Sequence, residues 1–233
     1  MAGSTMPGLT DHVSGVTSAQ APEAAHRAWE AAIVAQANRL RAELRRRSPA
    51  EMAQAIGARL QGDTLLFPYW GSEVAIEAPA LEPTWAESGL ACSPFDSAVL
   101  LYYLRASDGT PTSGKWVSFR ELPNASLYHQ AFTGYTGNRL AAAFGLEPAS
   151  LDLSARAIGG APVVGLAPHA WCFLPLPQVP LAACLWPGDE EVPAQAAVLF
   201  DSSAGRHLPT DGLALLGSGL TGRLLTAATS QPV

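Results

Sequence analysis

The stretch VPLAACLWPGDEEVPAQAAVLFD, residues 179–201, decides the fold. Residues 179–186 and 194–201 are two apolar runs of strand length, and between them lie Pro187, Gly188 and the acids Asp189, Glu190 and Glu191. Such runs bounded by turn residues read as two strands joined by an exposed reversal. Proline then glycine suits the central positions of a type II turn, so Trp186-Pro187-Gly188-Asp189 is expected to turn the chain. The acidic run then reads as the solvated end of a hairpin before it reads as a carboxylate pair for acid–base work. At and just before the start of the hairpin, Pro175, Pro177 and Pro180 lack an N–H to donate, which confines pairing in FLPLPQVPL to selected edges.

A second hairpin is expected in TLLFPYWGSEVAIEA, residues 64–78, with Gly71-Ser72 as a tight II′ turn and Pro68 placing the first strand at a sheet edge. Between and around the hairpins the period changes to helical. Trp29, Ile33, Ala37, Leu40 and Leu44 recur on one helix face, closed by Arg45-Arg46-Arg47 where cations offset the carbonyl end of the dipole. Ser48-Pro49 with Glu51, and Ser93-Pro94 with Asp96, are helix starts; Gly57 and Ser107-Asp108-Gly109 are stops. Pro123-Asn124 is expected to cap a helix carrying Tyr128, Phe132 and Tyr135, weakened at Gly134 and Gly137 before NRLAAAFG resumes it. LDLSARAIGGAPVVG predicts a short helix, a double-glycine turn and a strand, and a leucine-rich helix after Pro209-Thr210 closes the chain. The expected architecture is α+β: a flexible tail over 1–20, then a single domain over 21–228, an antiparallel or mixed sheet built from hairpins with helices packed on one face.

Composition narrows the partners. With 48% hydrophobic and 15% charged residues the chain can bury a core, and a net charge of −6 offers no basic field to a polyanion, so nucleic acid is not an expected partner. No run reaches about 18 apolar residues, and the amino end lacks a signal-peptide pattern, so no membrane partner and a cytoplasmic location are expected. Three cysteines, Cys92, Cys172 and Cys184, form no CxxC pair and fit a reducing compartment. Oligomeric state and cofactor are left undetermined.

The chemistry-bearing residues are scattered. His169 and Cys172 in HAWC, with Cys184, invite a metal site, yet strand residues three apart point to opposite faces, so no metal ligation is assigned. Ser202, Ser203 and His207 in DSSAGRH form a loose constellation without a GxSxG elbow. IGGAPVVG precedes a strand, the reverse of a dinucleotide fingerprint. The richest segment is GKWVSFRELPNASLYHQAF, residues 114–132. Alternation puts Trp116, Ser118 and Arg120 on one strand face and sends Val117 and Phe119 to the core. Arg120 would clamp an anion, with Trp116, Tyr128 and Trp186 as aromatic walls.

Three blocks together, LLYYLRASDGTPTSGKWVSFRELPNASLYHQAF, FLPLPQVPLAACLWPGDEEVPAQAAVLFDSSA and HLPTDGLALLG, resemble domain of unknown function family 3786 over about residues 25–226. The resemblance implies no activity. It implies cytoplasmic proteins of anaerobic bacteria and archaea, some with a cysteine-rich iron–sulfur segment at the amino end; residues 1–24 here contain no cysteine. Its motif positions fall on Trp116, Ser118, Arg120, Glu121, Tyr128, Phe132, Gly159, Gly160, Pro180, Trp186, Asp189, Glu190 and Asp201.

The expected function is binding of a small molecule or cofactor by Trp116, Ser118, Arg120, Tyr128 and Trp186. The alternatives are an enzyme of a small-molecule or cofactor-linked pathway, using Glu121 or His129 as acid or base beside Arg120, and a protein-interaction module without a small ligand.

Overall fold

The structure, a computed structural model, describes residue 32 and residues 35–230. The proposed tail, together with Trp29 and Ile33, lies outside the described residues. A first helix, α1, covers residues 35–44 and buries Ala37, Leu40 and Leu44, the apolar stripe its spacing predicts. α2 (Pro49–Ile56) follows, ended by Gly57 at φ 68°, a left-handed position that glycine adopts without steric cost. Ser48 makes no side-chain cap there, so proline at the first turn and the Gly57 stop mark this helix without it.

The strands, expected in one sheet, divide into two, and the α+β class holds. Strands β1 (Arg59–Gln61), β2 (Thr64–Tyr69), β3 (Ser72–Glu77) and β4 (Pro83–Trp85) form an antiparallel meander in that order. β2 pairs Tyr69 with Ser72, so the hairpin turn is Trp70-Gly71, one residue earlier than expected. Both turn residues have positive φ (50° and 82°), as a type I′ turn needs. Nor is β2 an edge strand. It lies between β1 and β3, and Pro68 is tolerated because β1 reaches only Leu66, leaving no ladder on that side for Pro68 to donate to.

Next comes α3 (Pro94–Ala106), its first turn capped by Ser93, whose hydroxyl accepts from Asp96 N at 3.1 Å. Ser97 to Leu104 are buried without a break, the all-round apolar sequence of a central helix. The second sheet contains β5 (Trp116–Ser118), β6 (Ala161–Pro162), β7 (His169–Leu176), β8 (Val179–Trp186) and β9 (Gln195–Asp201), ordered β5-β9-β8-β7-β6 and antiparallel throughout. The register of β7 on β8 shifts between Phe173 and Leu176, where Pro175 sits. This bulge is how a proline enters an inner strand. The β8–β9 link also departs from expectation. Gly188 has no positive φ, so Pro187-Gly188 is not a type II turn. Instead the Asp189 carboxylate accepts from Glu191 N and Val192 N at 2.9 and 2.8 Å and folds the acidic run on itself.

Helices α4 (His129–Tyr135), α5 (Gly137–Phe144) and α6 (Pro148–Ala157) cover this second sheet, and α7 (Thr210–Thr229) packs behind them. The break at Thr136 falls where Gly134 and Gly137 weaken the helix. α4 begins later than predicted: Asn124 is left-handed at φ 59°, and Pro123-Asn124 makes a turn instead of a cap. One apolar cluster runs through both sheets, from Leu44 and Ile76 through Leu100 and Tyr103 to Phe200 and Leu220.

Candidate functional site: a cleft at an open strand edge

β5 is short for a reason visible at Ser118. Its backbone N–H and its hydroxyl both donate to Glu121 Oε2, at 2.8 and 2.9 Å, completing a capping box that turns the chain into a 3-10 turn over Phe119–Glu121. The strand therefore ends opposite Leu199, and on the side away from β8 the edge of β9 over Ala196–Val198 has no strand beside it among the described residues. The start of α5 lies there instead. Gly137 makes the approach possible, since a Cβ at that position would stand 2.3 Å from the Ala196 carbonyl oxygen.

What remains is a cleft of about 180 Å³, lined by Ser118, Phe119, His129, Phe132, Thr133, Thr136, Gly137 and Ala196–Leu199. Phe119 and Phe132 stack with centroids 4.0 Å apart and planes at 11°. His129, first residue of α4, lines the cleft with its Nδ1 buried and without a partner among the described residues. Buried polar atoms are nearly always paired, which makes this one informative.

Of the residues singled out in the sequence, the cleft thus brings together Ser118 and His129. The predicted Trp116–Ser118–Arg120 face does not form, because the strand ends before Arg120. Arg120 is exposed on the 3-10 turn. Glu121 is also exposed, and the two Ser118 donors hold its carboxyl below the usual carboxylate range. Tyr128 is 58% exposed. Trp116 packs on the sheet's other face near Leu199 and Ala182. It pairs with Asp201, whereas Trp186 pairs with Gln195, and six residue steps of β9 set the two tryptophans roughly 20 Å apart along the strand. They cannot wall one pocket.

A second constellation was not foreseen. His169 and Trp171, two apart on β7, turn the same face to α6, where Asp152 receives both. His169 Nδ1 lies 2.9 Å from Asp152 Oδ2 and Trp171 Nε1 donates to Oδ1 at 2.6 Å, while the Arg156 guanidinium lies 5.4 Å from the centre of the Trp171 ring. The alternation of His169 and Trp171 was readable; their partner on a helix 17 residues earlier was not. Cys172 points to the opposite face, and among the described residues no three His, Cys, Asp or Glu side chains converge as metal ligands.

The DSSAGRH segment has a structural task. Asp201, 2% exposed, accepts from Ser113 N and Oγ, Gly114 N, and Ser203 N and Oγ at 2.6–3.0 Å. Fully buried His207 meets neither Ser202 nor Ser203; its Nδ1 lies 2.9 Å from Ser107 Oγ, which donates to the Ala55 carbonyl at 2.7 Å. These contacts tie the loop after α3 and the end of α2 to the turn after β9.

Two antiparallel sheets on one core, flanked by helices, define an α+β protein with a small, mostly apolar cleft beside the uncovered part of β9. The chain belongs to the family described as Domain of unknown function (DUF3786), whose model matches residues 48–223. No curated protein and no solved structure matches the chain. Among the described residues, no helix is long and apolar enough to cross a membrane.

Proposed function

We propose that this protein binds a small molecule in the cleft between the open edge of β9 and the helices α4 and α5, with Ser118 and His129 at the polar side. The observation that carries this reading is His129: it stands in the wall of a cavity of about 180 Å³ with Nδ1 buried and without a partner among the described residues, which leaves its Nε2 for a ligand. Small-molecule sites pair apolar walls with few polar groups, and the stacked Phe119 and Phe132 beside His129 fit that pattern. Arg120 and Tyr128, neighbours in sequence of Phe119 and His129, are assigned to the rim; Trp116 and Trp186 have no part. A panel of small metabolites screened by thermal unfolding tests the idea. Any ligand found should lose at least tenfold in affinity in Thr133→Leu, which fills the cleft, and in His129→Ala. Affinity unchanged in both variants would sink the proposal.

A second reading, an enzyme working by proton transfer, is favoured by the Asp152–His169 pair. A carboxylate on Nδ1 fixes the tautomer and leaves Nε2 as an acceptor, the arrangement of a general base. Glu121, spent on the Ser118 capping box, is replaced as base by His169, which Asp152 orients. Nitrogen-15 NMR of His169 should show the Nδ1–H tautomer, lost in Asp152→Ala; an Nε2–H tautomer in the unaltered protein would rule the base out.

A further inference from the structure

We infer that the cleft takes a ligand presenting an acceptor oxygen, a carbonyl or a carboxylate, on a compact apolar body; this rests on the reading of the cleft as a binding site. Two donors support it. The first comes from β9. Ser202 N donates to the Lys115 carbonyl at 2.8 Å, so residues two apart from Ser202 along β9, Phe200 and then Val198, turn their N–H groups to the same side. Phe200 meets Val117 of β5. On that side Val198 meets no strand among the described residues, because the next carbonyl in line, that of Phe119, accepts instead from Leu122 N at 3.1 Å within the 3-10 turn. The Val198 N–H therefore faces the cleft.

The second donor is His129. A bare buried lone pair is tolerated better than a buried N–H without an acceptor, so the neutral ring keeps its proton off the sealed Nδ1 and on Nε2. With Nδ1 closed off, Nε2–H is the ring group that His129 has left to offer to the cleft it lines. Two of the other polar groups in the wall are already committed. The Ser118 hydroxyl both gives and accepts within its capping box, and the Thr136 hydroxyl donates to the Phe132 carbonyl. No charged side chain lines the cavity, and Phe119, Phe132, Gly137, Ala196 and Ala197 leave the rest apolar. Two N–H groups in the wall of one small cleft, beside the stacked Phe119 and Phe132, match one carbonyl-type oxygen on a small ring or branched chain.

The test is proton–nitrogen NMR of the full chain titrated separately with benzamide, benzoate and benzylamine, three probes of one size that differ in the head group. Benzamide or benzoate should shift the Val198 amide and the His129 ring signals with millimolar affinity, as expected of so small a probe, and benzylamine should not. His129→Ala should weaken binding of the active probe at least fivefold. Equal shifts at Val198 and His129 with benzylamine overturn the acceptor-oxygen assignment and leave the cleft a binding site. Silence at those signals with all three probes overturns the assignment and counts against the cleft itself.

Discussion

At the scale of the residue, the most consequential side chain is Asp201. Burial alone would raise its pKa, but the hydrogen bonds from Ser203 and Ser113 outweigh that and hold it at about 2. Against an unfolded value of about 3.9, the depressed carboxyl contributes stability that is complete above about pH 4 and is lost as pH falls towards 2. The shift corresponds to about 2–3 kcal/mol at neutral pH. Asp201→Asn should lose about that much in urea unfolding at pH 7 and flatten the stability curve between about pH 4 and 2. His207 acts at higher pH. Burial pushes its pKa down, so the unfolded chain binds the proton more readily than the fold does. Stability should fall as pH drops below about 6.5. The Asp108, Asp201 and Arg206 charges near it modify this, the two acids raising the pKa and the arginine lowering it. A His207→Gln protein should lose this dependence, measured as the slope of unfolding free energy against pH from 7 to 5. The residue types at both positions were plain in DSSAGRH. Their partners were not, because Ser113 and Ser107 lie 88 and 100 residues away.

Among elements, the junction of α4, α5 and β9 shapes the site. Gly137→Ala would drive a Cβ into the Ala196 carbonyl, so the helix must shift; overpacking of this kind costs about 1–3 kcal/mol, and thermal unfolding should register it with any cleft binding lost as well. Gly134→Ala, with nothing within 4 Å of the added Cβ, serves as the control and should be neutral or slightly stabilising. Ser118→Ala removes the capping box that ends β5 and should cost about 1 kcal/mol. Periodicity and glycine placement announced the α4–α5 break. It did not announce that β5 would stop at Ser118: Val117 and Phe119 both read as core, and the 3-10 turn buries Phe119 as a strand would have done. Arg120 was thereby misplaced by a single turn.

Across the whole molecule, the two sheets are joined by Trp70 N–H donating to the Pro175 carbonyl at 3.0 Å and by the shared apolar cluster around α3, which Tyr103 OH fastens to α2 by donating to the Ile56 carbonyl at 3.0 Å. Because α3 is buried on all sides, neither sheet retains its core alone. Hydrogen exchange should therefore release the slowest amides of β3 and β8 at one common free energy, and two separated values would show that the sheets unfold independently. The sequence by itself determined the helices α1, α2, α3 and α7, the paired strands β2–β3 and β8–β9, and the break between α4 and α5, since periodicity, proline and glycine act over a few residues. Only the tertiary structure decided the division into two sheets, the pairing of Asp152 with His169 and Trp171, and the cleft. Each joins groups far apart in the chain, and their meeting depends on how helices dock on strands, which no local pattern encodes.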